Sequence, residues 1–362
     1  MKKLLYLFFL STLLFSCKKD DLFENLKNSG PLAISGASCI ADIRKSSYQN
    51  LVFVDDFIPD TDSCYTDQSK IVCSNRLDWF VSGNNCPADH DYSGLKDLNK
   101  CVWNVWTGWN FWSANTNTTY MANAVSVSDG HLKFKMKKNP NFDASKGQCG
   151  AKDPAKEWND DYYNRNCKYA VGGVDSKYLD DQHKGRNALY GRIEMRAKLI
   201  TNKNDGSYPA LWMWPNNLNT GSPYVATTAS TNLSVDGKGL KIIGEIDIME
   251  HNSQNEGPYG FHSYHNWEGS RGHWWSTKGA FYNMGEYKVY GVEWSPTKIR
   301  HYIDNCVVQE INVGDKAKAG DRKSMYISDV ASFLIMSLGT GPNLSSNDPN
   351  NEFQVDWVKI FE

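Results

Sequence analysis

Several absences narrow the reading of this chain first. Its 362 residues carry 39 Lys and Arg against 41 Asp and Glu, a formal charge of -2. Without a basic excess it lacks the footprint of a polyanion binder, so no nucleic-acid partner is expected. No C-x-x-C pair and no cluster of Cys with His occurs, which points away from a zinc site. Long amphipathic helical periods are nearly absent, strands do not alternate with helices, and no segment repeats. Those gaps exclude helical bundles and doubly wound α/β folds. One apolar run stands out, Leu4 to Leu14, and it is too short to span a bilayer as a helix.

That run follows Lys2 and Lys3 and ends in Leu14, Phe15, Ser16 and Cys17, so residues 1–16 read as a targeting segment. Its end resembles the lipobox of bacterial lipoproteins, which implies cleavage before Cys17 and lipidation of the Cys17 sulfur. Lys18, Lys19, Asp20 and Asp21 resemble the signal that sends some Bacteroidetes lipoproteins to the outer face of the cell. The expectation is an outer-membrane lipoprotein at the cell surface, its membrane partner reached through the lipid anchor. Residues 17–48 are polar and weakly patterned, a flexible tether, and residues 49–362 form one domain. Nine cysteines less Cys17 leave eight. An even number in an exported chain suggests disulfides, although eight allow 105 connectivities. Cys64, Cys73, Cys86 and Cys101 share one loop-rich stretch, and Cys149 and Cys167 flank another, so local pairing within each is expected.

What is present is a series of short strands with turn signals between them. Leu51 to Phe57 is the first. Ala124 to Met136 reads as a hairpin turning at Asp129-Gly130. Tyr190 to Ile200 alternates apolar and charged residues, and Tyr208 to Pro215 is a buried strand with Trp212 and Trp214 on one face. Tyr259 to Trp267, a pair of strands within Tyr287 to Asn305, Phe333 to Gly341 and Phe353 to Phe361 follow. Together they predict an all-β sandwich or jelly roll with a concave sheet and long irregular loops at 58–118, 138–168 and 216–240. Tryptophan is abundant, 13 in all, which suits stacking against sugar rings as well as filling a β-core. Trp103, Trp106, Trp109 and Trp112 recur every third residue. Gly108 and the flanking Asn residues favour a loop there, with Trp109 offered as a sugar platform.

The stretch that carries chemistry is Ile243 to Asn252, IGEIDIMEHN. Ionised carboxylates are costly to bury unpaired, yet Glu245, Asp247 and Glu250 alternate with Ile246, Ile248 and Met249. On a regular strand Glu245 and Asp247 share a face and Glu250 takes the other. One extra residue between Asp247 and Glu250, a β-bulge, brings all three onto one face. That pattern predicts two working carboxylates with a third between them, lining a polar cleft.

The blocks VFVDDF, VSVSDGHLKF, YGRIEMRAKL, YPALWMWP, GEIDIMEHN, YGVEWSPTKIRHYIDN, FLIMSLGTG and FQVDWVKIF, in this order, resemble glycoside hydrolase family 16, the laminarinase, lichenase, agarase and carrageenase group. The resemblance runs from about residue 50 to the end. It implies a concanavalin-like β-jelly roll and a retaining, endo-acting hydrolase of polysaccharides that needs no cofactor for catalysis and works as a monomer. Glu245 falls on the family's nucleophile, Glu250 on its acid/base and Asp247 on the carboxylate between them. Retention requires two carboxyls about 5–5.5 Å apart, one attacking the anomeric carbon while the other, protonated, assists the leaving oxygen. His265 resembles the histidine that some bulge-containing members place beside the acid/base, with His262 as its competitor. Trp212 and Trp214 fall in the block that lines the family's cleft. Glu194 and Arg196 are offered as hydroxyl ligands, and Asp356 matches an acid that helps bind a structural Ca²⁺ in many members. A β-1,3- or β-1,3-1,4-glucan is the first substrate expected. A galactan of agar, porphyran or carrageenan type or a host glycan is the alternative, since the long loops depart from the glucanase pattern. Apart from Arg271 no dense cluster of Lys and Arg lies near the motif, which tilts the reading to a neutral sugar chain. A transglycosylase would share the covalent intermediate. A non-catalytic lectin would have lost one of the three acids, and all three stand.

Overall fold

The computed structural model describes residues 39–75, 86, 88, 90–109, 118–146, 149, 166–177, 185–200, 207–215, 244–251, 261–268, 271–277, 285–312, 331–340 and 351–362. β1 (Ala41–Asp42), β2 (Leu51–Asp55), β3 (Cys73–Asn75), β4 (Asn104–Trp109), β5 (Thr118–Tyr120), β6 (Val125–Ser128) and β7 (His131–Lys135) come first. β8 (Lys137–Lys138), β9 (Tyr169–Val171), β10 (Gly173–Asp175), β11 (Asn187–Ala188), β12 (Gly191–Ile200) and β13 (Ser207–Pro215) follow. β14 (Gly244–Glu250) is the acidic strand. After it come β15 (Phe261–Glu268), β16 (Arg271–Thr277), β17 (Lys288–Trp294), β18 (Lys298–Ile303), β19 (Cys306–Asn312), β20 (Ser332–Thr340) and β21 (Glu352–Phe361).

Two sheets share these strands. A nine-stranded sheet runs β1-β19-β18-β17-β12-β21-β7-β6, with β2 also paired to β21. A twelve-stranded sheet runs β16-β15-β14-β13-β20-β10-β4-β5-β9-β8, with β11 on β20 and β3 on β4. Pairing is antiparallel except at β3–β4 and β5–β9. The chain leaves one sheet after β12 and enters the other at β13, so neighbours in sequence lie in different layers. That is the all-β layered architecture expected from the strand pattern.

Local sequence explains the individual elements. In β12 the residues Ile193, Met195, Ala197 and Leu199 are buried, while Glu194, Arg196 and Lys198 between them are half-buried. β20 is buried along its whole length, as a central strand covered on both sides must be. The β6–β7 hairpin turns on Asp129 (φ 55°) and Gly130 (φ 69°), the two positive φ values that a tight hairpin turn of the primed type requires. One hydrophobic cluster joins Met195, Val292 and Ile299 of the nine-stranded sheet with Leu211, Met249 and Met336 of the other.

Disulfides join Cys64 to Cys101, Cys73 to Cys86 and Cys149 to Cys167, each within the stretch where local pairing was expected. The fourth joins Cys39 to Cys306 across 267 residues. It corrects the domain boundary placed at residue 49. Ala41 and Asp42 pair with Val307 and Cys306, so the folded unit already includes Cys39. Within the Trp-rich segment Asn104–Trp109 is likewise strand β4 rather than loop, and Trp112 lies outside the described residues. Trp103 and Trp106 are buried, and each satisfies its indole N–H on a buried carboxylate, Asp55 at 2.7 Å and Asp175 at 2.6 Å.

Candidate active site

The bulge required by the E-x-D-x-x-E spacing is present. In the β13–β14 ladder Leu211 faces Met249 and Trp212 faces Asp247, so Ile248 is the extra residue. Ala210 faces Glu250 in the same ladder. Ala210 and Trp212 are two apart on a regular strand and share a face, which puts Asp247 and Glu250 on one face despite their odd separation. A second irregularity lies in the β14–β15 ladder, where Glu245 faces His265 and Glu250 faces His262. Tyr264 is itself extra against β16, between Ser263 opposite Trp275 and His265 opposite Trp274. Simple alternation along β15 therefore does not choose between the two histidines, because both stand at register positions opposite acids. The side chains of Glu245, His262, His265 and Trp109 lie outside the described residues.

Two rows cross the acidic face of the twelve-stranded sheet. One runs Asn104, Asp175, Ile335, Trp212, Asp247; the other runs Gly173, Ser337, Ala210, Glu250, His262. Asp247 is buried, and half-buried Glu250 accepts a hydrogen bond from the Tyr208 hydroxyl at 3.1 Å. Trp212 is buried edge-to-face between Trp106 (6.2 Å between ring centroids) and Trp214 (6.1 Å), so the half-buried Trp214 presents more of its ring outward. The Trp106 ring lies against the backbone of Gly173, where a Cβ would meet its Cε3 at 2.8 Å. Asp175 ties this corner together. It accepts from Trp106 Nε1 and Asn104 Nδ2, both at 2.6 Å, and from the Lys177 amide at 3.0 Å. Neither Tyr208 nor Asp175 is identifiable as a site residue from sequence, since each acts through a strand remote in the chain. The one signal for Asp175 is an acid set among buried residues.

Glu194 and Arg196 do not belong to this site. Both are on β12, in the nine-stranded sheet, whereas β14 lies in the other. Glu194 Oε1 accepts from the Tyr302 hydroxyl at 3.0 Å and lies 3.5 Å from Arg192 Nε. Burial raises the Glu194 pKa above its ordinary value, outweighing the opposing pull of Arg192. Arg196 pairs with Asp356 and lies over the Tyr287 ring at 4.5 Å. The alternation of a charged ladder on this sheet is the same pattern as that of a strand offering ligands.

The pairing also decides against the calcium expectation at Asp356. Its carboxylate is engaged by the Arg196 guanidinium, and His131 Nε2 stands 3.6 Å away. Calcium needs six to eight oxygen ligands, and nitrogen donors here occupy the places of further oxygens. Among the described residues no group of three or more His, Cys, Asp or Glu is arranged to hold a metal.

The comparisons with known proteins agree with this geometry. The family model described as "Glycosyl hydrolases family 16" matches residues 112–359. A keratan-sulfate endo-1,4-beta-galactosidase of Sphingobacterium multivorum is 29% identical over 201 residues, 54% of this chain and 40% of its own. A glucan endo-1,3-beta-glucosidase of Niallia circulans is 27% identical over 323 residues, 82% of this chain and 40% of its own. The chain thus spans 40% of the length of each of these curated relatives. The laminarinase catalytic domain from Thermotoga maritima has the same fold, with a TM-score of 0.53 at 16% identity, covering 87% of this chain and 98% of that one.

Proposed function

Because this chain belongs to glycosyl hydrolase family 16, we propose that it is an endo-acting, retaining glycoside hydrolase that cuts internal β-glycosidic bonds of a polysaccharide. Glu245 attacks the anomeric carbon, Glu250 protonates the leaving oxygen and then activates water, and Asp247 lies between them to tune the set. The observation that carries this reading is the bulge at Ile248, which brings Asp247 and Glu250 to one face of one sheet. Half-buried Trp214 stands on that face, where an indole favours a sugar ring, while Trp212, expected to bind sugar as well, is buried and only backs it. His265, opposite Glu245, is the proposed neighbour of the acids.

The first substrate is a β-1,3- or mixed-linkage glucan, supported by a glucanase relative that aligns over 82% of the chain. A galactose-containing chain is the second, supported by the higher identity, 29%, to a keratan-sulfate endo-galactosidase. Laminarin, mixed-linkage β-glucan, agarose and keratan sulfate, each digested and the products sized, separate the two. Oligosaccharide ladders identify the class, and unchanged polymers throughout overturn the hydrolase reading. The enzyme is further proposed to act as a monomer held at the outer membrane through lipidated Cys17. Cys17→Ser should release it from the membrane fraction, and retention there would refute the anchor.

A further inference from the structure

The irregular stretch 58–118 is braced more heavily than the connection of two strands requires. Two disulfides lie within it, Cys64–Cys101 and Cys73–Cys86. Lys100 has no exposed surface (0%), and its ammonium donates to the carbonyls of Tyr65, of Lys96 at 3.0 Å and of Leu98 at 3.3 Å. Three carbonyls meet the three donors of the ammonium, which is what allows a lysine to be buried. They belong to two short segments, 63–70 and 93–98, so one buried cation fastens the two together. Acids fix the turns themselves: Asp62 accepts from the Cys64 amide, Asp67 from the Ser69 amide and Asp91 from the Ser93 amide, each at 2.9 Å.

This bracing surrounds an open cavity of about 620 Å³, a size usual for ligand sites. Ile71, Cys86 and Tyr92 give it apolar surface, and Gln68, Ser93 and Lys96 give it a polar rim. The Tyr92 hydroxyl stands 3.7 Å from Cys73 Sγ, and the His90 ring lies beside the Tyr92 ring, 6.3 Å between centroids. Tyr92 is thus held at its tip and offers the cavity its ring. An aromatic ring beside an amide, a hydroxyl and an ammonium suits a pyranose, which has an apolar face and a belt of hydroxyls. Asp97 lies 4.0 Å from the Lys96 ammonium and offsets its charge, so the rim favours a neutral sugar over an anionic one. None of the lining residues is on the acidic strand. Cys73 is on β3, which pairs with β4 on the edge opposite β10. Along β14-β13-β20-β10-β4-β3 that is five strand spacings, about 24 Å. A sugar held there is several rings away from the bond being cut. We propose that this cavity is a second saccharide site, separate from the cleft, which holds a neutral stretch of the substrate polymer against Tyr92 and raises the affinity for long chains. Two linked contacts with one polymer bind more tightly than either alone, and a short oligosaccharide in the cleft gains nothing from the second. This inference rests on the reading of the chain as a polysaccharide hydrolase.

The test uses two variants of the full chain. Tyr92→Leu removes the ring and keeps an apolar side chain, and the double variant Gln68→Ala, Lys96→Ala strips exposed rim groups without touching the core. Laminarin, mixed-linkage β-glucan, agarose and keratan sulfate are each cast into native acrylamide gels, and the retardation of each variant is compared with that of the wild type. Kinetics are measured on the polymer the wild type cleaves and on the shortest oligosaccharide of it that is still cut. KM for the polymer should rise about tenfold and retardation weaken with it, while kcat and KM on the oligosaccharide stay within about twofold. Where loss of Tyr92 lowers Tm, the rim variant decides. Unchanged retardation and KM in that variant, or an equal rise in KM on polymer and oligosaccharide, would overturn the inference. A wild type that cleaves none of the four polymers would instead overturn the hydrolase reading, so the two failures are told apart.

Discussion

Strand β12 reads R-I-E-M-R-A-K from Arg192 and strand β14 reads E-I-D-I-M-E from Glu245, and both set charges between apolar residues. In β12 the charges meet partners of opposite sign or a hydroxyl: Glu194 has Arg192 and Tyr302, and Arg196 has Asp356. Nearby on the same sheet Arg300 bridges Glu293 and Glu310. In β14 the register partners are an indole, a methyl and histidines: Trp212 opposite Asp247, Ala210 and His262 opposite Glu250, His265 opposite Glu245. The second difference is backbone. β12 keeps an unbroken ladder with β17 and meets one register shift against β21, where Asp356 of β21 is extra, whereas β14 is irregular against both neighbours and itself carries the extra residues. Alternating charge is therefore ambiguous by itself; the ion pairs that Glu194 and Arg196 make with Arg192 and Asp356 mark a structural surface.

The comparison breaks if carboxylates on the two strands respond alike. Glu250→Gln should lower kcat by about 10³-fold, within the range spanned by loss of a general acid. Substrate binding by the variant, followed by calorimetry, should survive. Glu194→Gln should leave kcat within twofold, and a large loss there would move the site to the other sheet. Next in size is Asp175→Ala, which removes the acceptor shared by Trp106 and Asn104. Leaving buried donors without that acceptor costs about 1–3 kcal/mol for each group orphaned. A drop in Tm of several degrees is expected, and an unchanged Tm would show that the corner is not held through Asp175.

Much of this contrast was legible in the chain. The E-x-D-x-x-E spacing required a bulge because a strand has period two, and the bulge is at Ile248. The Asp129-Gly130 hairpin and the three short-range disulfides were also local matters. What escaped detection lies across long separations. Tyr208 is 42 residues from Glu250, Trp106 is 69 from Asp175, and Cys39 is 267 from Cys306. A tryptophan every third residue with glycine among them looked like a loop. Asn104–Trp109 is a strand because it pairs with β3, β5 and β10, and the indoles of Trp103 and Trp106 find buried carboxylates that no local pattern announces. Glu194 and Arg196 misled for the opposite reason. Their pattern is local, and their partners Tyr302 and Asp356 are not.

A smaller effect sharpens the acidic side. The Tyr208 hydroxyl donates to Glu250 Oε2, and Phe at that position keeps the ring and removes the bond. A hydrogen bond to a carboxyl group contributes about 1–1.5 kcal/mol, or roughly tenfold in rate if it is made in the transition state. Tyr208→Phe should therefore lower kcat by up to about tenfold with Tm nearly unchanged. An equal loss of stability would make Tyr208 a packing residue only.

The smallest effect concerns the other side, and its sign follows from burial. Glu194 has its pKa raised by desolvation, so in the folded protein it keeps its proton to a higher pH than in the unfolded chain. As pH rises from the ordinary glutamate value of 4.5 to the raised one, the unfolded state releases its proton first. The folded state then holds more protons than the unfolded, and stability falls with rising pH through that window. Glu194→Gln keeps the shape and removes the titration. Its denaturant midpoint should fall less than that of the wild type as pH rises through the window, with kcat unchanged on both sides of it. Parallel curves for the two proteins would mean that Arg192 and Lys359 already offset the burial. β12 would then differ from β14 in its partners alone, and not in how deeply its charge is set.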